Sequence, residues 1–241
     1  MATLKIAKRE LRQQIRKTLS SLSPESVTSQ SGNVFNTLTQ LPEYKSAKRI
    51  GIYLSMPSGE IDTAPIVLDA LQAGKTVFVP YTYNHTAQSG QTVSLMDMLS
   101  LHSLTDYQSL QPDNWGIPTP SKDSIAGRQN CLGDLGRLPA DRVGIEQGKG
   151  GLDFLVMPGM AFDTKLGRLG HGKGFYDMFL QKMNENQKSK LGENAKMPLL
   201  IGLSLKEQLL PEEQEVPKDS TDWLLDGLIV GDGRVLGPRE H

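Results

Sequence analysis

A chain of 241 residues, 37% of them hydrophobic, with 27 acidic side chains against 26 Lys and Arg, has the length and apolar mass of one sizeable globular domain. A net charge of −1 gives no general reason to expect a nucleic-acid partner, and none is expected; any anion site must arise from local clustering. No apolar run approaches the roughly 20 residues of a membrane span, and the lone Cys131 excludes an internal disulfide, in keeping with a reducing compartment.

Leu4, Ala7, Leu11, Ile15 and Leu19 recur at helical spacing and predict an amphipathic helix, with Lys5, Lys8, Arg12 and Arg16 as a basic row beside them. On spacing alone that row is a solvated face. Ser23-Pro24-Glu25 marks the start of a second helix through Val27, Val34, Phe35 and Leu38, which ends before Leu41-Pro42. Residues 49–54 alternate as a strand, residues 66–71 form a helix stopped by Gly74, and residues 76–79 form a strand ended by Pro80. Such a β-α-β unit requires parallel pairing through a crossover. It predicts an α/β fold on a single open, mostly parallel sheet flanked by helices on both faces. The turn at residues 55–63 lies at the carboxyl end of the first strand, where these sheets bind ligands. Its Glu60 is either a ligand-facing carboxylate or a first-turn helix carboxylate.

Residues 93–99 predict another strand, in which Met96 and Met98 are core residues or the flexible wall of a ligand site. Trp115-Gly-Ile-Pro-Thr-Pro120 carries too much proline for a helix interior or a central strand, and Trp115 either covers a core edge or stacks on a flat ligand. From 121 to 150, Gly, Asp, Arg and Ser dominate without apolar periodicity. This predicts an exposed surface insertion in a single domain spanning 1–241. Cys131, inside it, has neither a helix start nor an adjacent base to favour a thiolate.

Residues 152–156 predict a buried strand, and Tyr176, Phe179, Leu180 and Met183 share one face of a helix. The turn into that helix is Gly170-His-Gly-Lys-Gly174. Glycine lets a backbone turn sharply and bring its amides close to a ligand, and a helix start favours an anion. With Arg168, His171 and Lys173 adding charge, the stretch reads as a polyphosphate loop, a purely structural tight turn being the alternative. It is not a P-loop, because Gly174 rather than Ser or Thr follows Lys173. Nor is it a dinucleotide fingerprint, because Phe175 stands where the third glycine belongs. Asp177, in the first helical turn, either complements the helix dipole or ligates magnesium beside substrate phosphates. Residues 181–196 then turn polar, which predicts a helix fraying into a loop. Strands follow at 198–204 and 228–230, and the segment between them carries Asp219, Asp222 and Asp226.

Arg168-Leu-Gly-His-Gly-Lys-Gly-Phe-Tyr-Asp177, preceded by Met157-Pro-Gly-Met-Ala-Phe-Asp163, resembles the signature of the 5-formyltetrahydrofolate cyclo-ligase family, also called 5,10-methenyltetrahydrofolate synthetases. The resemblance extends through residues 8–12, 54–63, 96–98, 115–120 and 201–226. It implies an ATP- and Mg²⁺-dependent enzyme that cyclises 5-formyltetrahydrofolate to 5,10-methenyltetrahydrofolate, releasing ADP and phosphate after phosphoryl activation of the formyl oxygen. It further implies that Lys8, Arg12, Arg168, Gly170, His171, Gly172, Lys173, Gly174 and Tyr176 bind ATP, with Arg168 and Lys173 as the catalytic cations. Leu54, Glu60, Trp115 and Tyr176 are implied to hold the folate, and Asp177 and Asp222 the Mg²⁺.

The chain departs from the family pattern at His171, where arginine is frequent, and at Phe175, where tyrosine is frequent; one additional residue precedes Glu60. Arginine keeps its charge, whereas an imidazole titrates near neutrality. The expected partners are ATP and the folate, with polyglutamate preference open, acting on a monomer in the cytoplasm, the mitochondrion being the alternative. Two other readings compete. One is an isomerase or CoA-transferase-like enzyme that uses Glu60 without ATP; the other is a binding module that has lost catalysis.

Overall fold

The structure, a computed structural model, describes residues 2–86, 90–137, 150–192 and 196–237. Helix α1 (Ala2–Leu19) is followed by α2 (Pro24–Leu38), which starts where the serine-proline pair predicts: Ser23 accepts from the Ser26 N–H at 3.2 Å. The short α3 (Pro42–Ser46) leads into strand β1 (Arg49–Ile52), α4 (Ala64–Gln72) and β2 (Thr76–Thr86), the expected β-α-β unit. Next come β3 (Thr92–Ser100), α5 (Leu104–Gln108) and a small antiparallel ribbon of β4 (Gln111–Pro112) and β5 (Pro118–Thr119). A 3-10 turn at Lys122–Gly127 precedes β6 (Phe154–Met157) and a second ribbon, β7 (Ala161–Phe162) with β8 (Arg168–Leu169). Helix α6 (Phe175–Leu191) and strands β9 (Leu199–Ser204), β10 (Gly227–Val230) and β11 (Val235–Leu236) complete the described chain.

The main sheet has seven strands in the order β11-β10-β9-β6-β1-β2-β3. Pairings from β10 across to β2 are parallel, while β11 and β3 add antiparallel strands at either end. The fold is α/β, with a mixed sheet. Alternation along the strands sends Ile50, Val77, Val156 and Ile201 into a core with α2 and α4, and Phe78, Leu155, Met157 and Leu228 into a core with α6. Helices therefore cover both faces.

Three expectations need correction. Strand β2 runs through Pro80 instead of stopping before it. β1 pairs with β2 only as far as Phe78, so proline falls where one side of the strand has no ladder, while β3 pairs with the other side to Thr86. Helix α6 continues to Leu191 rather than fraying after residue 181. Not all of its polar residues are solvent signals: Gln181 and Lys182 line a cleft, and Asn186 and Gln187 are buried. Finally, the described part of the expected surface insertion, residues 121–137, is packed, with Ile125, Arg128, Asn130 and Cys131 buried. Arg128 donates to Asp106 through two nitrogens at 2.6 Å each and to the Ser100 carbonyl at 2.8 Å, which lets a polar segment enter the interior. Residues 138–149 of that insertion lie outside the described residues.

Candidate active site

Apolar packing of α1 sets the site. Ile15 is buried, and with Leu11 and Leu19 it packs on Met160, Ala161, Leu169, Leu210 and Val216, so the helix lies across the β7–β8 ribbon. Burying one such side chain contributes about 1.5–3 kcal/mol. The basic row beside this stripe consequently points at the glycine loop that follows β8. Arg12 Nε donates to the Gly170 carbonyl at 2.8 Å, and Lys8 Nζ reaches the Asp222 carboxylate at 2.6 and 2.8 Å. Burial lowers the pKa of the Arg12 guanidinium, Asp222 opposes that shift, and Arg16 adds to it.

The loop itself needs its glycines at two places. Gly172 has φ 107°, and a Cβ there would approach the Arg12 guanidinium carbon to 3.4 Å; Gly174 caps α6 at φ 70°. Arg168, 3% exposed, donates through Nη2 to both Asp177 oxygens at 3.0 Å and through Nη1 to the Pro158 carbonyl at 3.3 Å. Its Nε is buried without a partner among the described residues. Asp177 also accepts the Trp223 N–H at 3.1 Å, which draws the segment bearing Asp222 against the start of α6. His171 Nε2 lies 3.0 Å from Glu60 Oε1, and Glu60 Oε2 accepts the Met56 N–H at 3.1 Å. The loop leaving β1 and the glycine loop that follows β8 thus meet in a side-chain contact.

Two cavities collect residues of this region. A cleft of about 1320 Å³ has Lys8, Arg12, Gly170, Gly172, Asp177 and Asp222 at one end, and Met96, Met197 and Pro198 farther along. A smaller pocket of about 430 Å³, at the carboxyl end of β1, is lined by Leu54 and Glu60 with Leu22, Val27 and Pro57. Tyr176 packs against both cores, with the Arg168 guanidinium 5.6 Å from its ring centroid. Burial raises the pKa of its phenol; Arg168 opposes this and Glu60 adds to it, so the group remains a neutral donor.

A model of the 5-formyltetrahydrofolate cyclo-ligase family matches residues 4–231. A Mus musculus 5-formyltetrahydrofolate cyclo-ligase is 31% identical over 230 residues, covering 95% of this chain and 96% of its own length. The Saccharomyces cerevisiae 5-formyltetrahydrofolate cyclo-ligase is 28% identical over 238 residues, covering 95% of this chain and 97% of its own. Among solved structures, Aquifex aeolicus 5,10-methenyltetrahydrofolate synthetase is similar with a TM-score of 0.64 and 25% identity, covering 97% of this chain and 94% of that one. The chain belongs to the 5-formyltetrahydrofolate cyclo-ligase family. It is accordingly an enzyme, an ATP-dependent cyclo-ligase.

Most of the residues implied by the family signature converge in this cyclo-ligase, but not all do so equally. Lys8, Arg12, Gly170, Gly172, Gly174, Asp177 and Asp222 share the large cleft; Leu54 and Glu60 share the small pocket; Arg168, His171 and Tyr176 line neither, but Arg168 bonds Asp177 of the cleft and stands 5.6 Å from the Tyr176 ring, and His171 contacts Glu60 of the pocket. Lys173 is exposed and, among the described residues, makes no hydrogen bond or ion pair. Trp115 is 74% exposed, which removes its reading as the cover of a core edge. It sits on a turn beside the small pocket, where the neighbouring Gly116 is close enough to Pro57 that a Cβ would meet it at 2.6 Å. Met96 faces the large cleft and Met98 is wholly in the core, so neither lines the pocket of Glu60.

One organising residue escapes a search for ligand groups. Asp163 is fully buried and accepts the N–H groups of Lys165, Gly167 and Val216 at 2.8–2.9 Å. It holds Leu166 in a left-handed turn at φ 65° and ties the ribbon that bears Arg168 to the segment leading to Asp222. The spacing Asp163 to Gly167, an aspartate turn closed by glycine, is the signal that points to it.

Proposed function

We propose that the enzyme converts 5-formyltetrahydrofolate and MgATP to 5,10-methenyltetrahydrofolate, ADP and phosphate. The observation that carries this is a glycine-lined cleft bearing Lys8 and Arg12 together with an apolar pocket containing the buried Glu60 carboxylate, to which His171 of the glycine loop comes within 3.0 Å. One cavity suits a triphosphate and the other a flat, partly apolar reduced pterin.

The formamide oxygen is a poor leaving group. Its attack on the γ-phosphorus forms an O–P bond and expels ADP; the activated formyl carbon is then attacked by N10, which loses its proton, and the C–O bond breaks to release phosphate. The chain's part is positioning and charge stabilisation. Lys8 and Arg12, fixed by α1, and Arg168, fixed by Asp177, present cations along the triphosphate path, and loop amides at Gly170–Gly174 add oriented donors. Lys173 is free to close on the γ-phosphate from the exposed side. Glu60 and Leu54 hold the pterin, Tyr176 stands beside Arg168, and Trp115 covers the small pocket by stacking.

Asp177 and Asp222 suit a magnesium ion: both are hard oxygen donors on one wall of the cleft, and neither is fully buried, at 22% and 18% side-chain exposure. Among the described residues no group of three His, Cys, Asp or Glu side chains is assembled, so the two carboxylates would hold the ion only with help from substrate phosphate and water. When bound, the ion supplies neutralisation of phosphate charge. The ion pairs with Lys8 and Arg168 occupy these carboxylates in its place and keep the cleft near neutrality.

The test is a single absorbance assay. Protein with 5-formyltetrahydrofolate and MgATP is expected to develop the methenyl chromophore in step with ADP. Chromophore without ATP would favour the isomerase-like reading; tight binding of both ligands without chromophore would favour a binding module.

A further inference from the structure

The small pocket contains a polar group to which neither the family signature nor the packing assigns a task. Tyr107, on α5, is half-buried and lines the cavity that holds Leu54 and Glu60. Its ring packs against the core on the α2–α4 side of the sheet. The residue before it is anchored twice: Ser103 caps the helix by accepting the Asp106 N–H at 3.1 Å, and the Asp106 carboxylate is gripped by buried Arg128 at 2.6 Å. The hydroxyl is therefore carried on a fixed support.

Three other tyrosine hydroxyls in this protein are satisfied internally, whereas those of Tyr81 and Tyr176 have no hydrogen-bond partner among the described residues. Tyr44 donates to Asp69 at 2.6 Å, Tyr53 to the Ile61 carbonyl at 3.1 Å and Tyr83 to Asp97 at 3.0 Å. Among the described residues, the Tyr107 hydroxyl has no such partner. Burial raises its pKa and the charge of Asp62, which lines the same pocket, adds to this, so it stays protonated and able to donate. Leu22, Val27 and Pro118 make the surrounding wall apolar, and a donor in such a wall fixes the orientation of a ligand that brings an acceptor.

We infer that Tyr107 is a substrate-contacting specificity residue whose hydroxyl donates to a carbonyl oxygen of the reduced folate, an inference that rests on the folate reading of this pocket. Asp62 and Glu60, as carboxylates, suit the amino and ring N–H side of such a molecule; the tyrosine supplies the complementary donor.

The test is Tyr107→Phe, which keeps the ring and removes only the hydroxyl. Calorimetric titration of ligand-free protein with 5-formyltetrahydrofolate is expected to show about three- to tenfold weaker binding than wild type. In turnover, KM for the folate is expected to rise similarly while kcat, KM for ATP and the thermal midpoint stay within twofold or about 2 °C of wild type. Unchanged folate affinity in the variant, with a wild type that binds and cyclises the folate, overturns the role of Tyr107 and leaves the proposed reaction standing. A wild type that does not bind the folate overturns both. A lowered thermal midpoint with folate and ATP constants changed together would assign Tyr107 to packing and also overturn the inference.

Discussion

Asp177 is tied to Arg168 before any ligand arrives, and this makes its removal a stability experiment as well as a catalytic one. Asp177→Ala deletes two 3.0 Å charge-assisted bonds to a guanidinium that is only 3% exposed and already has an unpartnered Nε, together with the acceptor of the Trp223 N–H. Stranding one member of a buried pair is destabilising by about 3–5 kcal/mol. In a chain of this size that lowers the thermal midpoint by roughly 10 °C. Replacing both partners, as in Arg168→Met with Asp177→Leu, is expected to restore at least half of the lost stability, because no charge is left buried, while activity stays absent. The assay is thermal and urea unfolding of ligand-free protein. A midpoint for Asp177→Ala within about 2 °C of wild type would show that the carboxylate serves only a ligand and that the structural part of this reasoning is wrong.

Lys8→Met removes a cation from a more exposed pair, with side chains 17% and 18% accessible, so stability is expected to change by no more than about 1 kcal/mol while KM for ATP rises at least tenfold; an unchanged KM would remove Lys8 from the nucleotide site. A double-mutant cycle of His171→Ala and Glu60→Gln, read in kcat/KM for the folate, is expected to show a coupling of about 0.5–3 kcal/mol, and strict additivity would mean that the 3.0 Å contact is functionally idle. Asp106 is held below the usual carboxylate range first by its hydrogen bonds from Arg128. A depressed folded pKa contributes stability above the unfolded carboxylate value and loses it as pH falls through the folded one. Asp106→Asn is therefore expected to be less stable than wild type by about 3 kcal/mol at pH 7, with the gap closing below about pH 4; a gap independent of pH in urea titrations would contradict the ion pair.

Local signals carried much of the architecture. Ser23-Pro24 locates the start of α2, and the alternation at residues 49–54 with the helix stop at Gly74 yields the β-α-β unit. What failed did so where tertiary contacts reverse the meaning of polarity. The polar stretch from residue 181 remains helical with Gln181, Lys182 and Glu185 on a cleft and Asn186 and Gln187 buried, and residues 121–137 enter the interior because Arg128 finds Asp106 and the Ser100 carbonyl. The five-residue α3 and α5 are too short to leave a periodic signal. In the site, glycine crowding at 170–174 and the basic row of α1 are visible from local spacing. The pairing of Lys8 with Asp222 spans 214 positions, and no local pattern encodes a contact of that range. Family resemblance named those residues, whereas only the fold shows that Lys8 and Arg168 already have internal counter-charges in Asp222 and Asp177.

Oxygen tracing tests most directly whether ATP phosphorylates the formyl oxygen in this site. The wild-type enzyme would be given MgATP and 5-formyltetrahydrofolate carrying ¹⁸O in the formyl group, and the released phosphate analysed by mass spectrometry. One ¹⁸O atom is expected in each phosphate formed with methenyl product; phosphate free of label, or label released to water, would contradict phosphoryl activation of that oxygen.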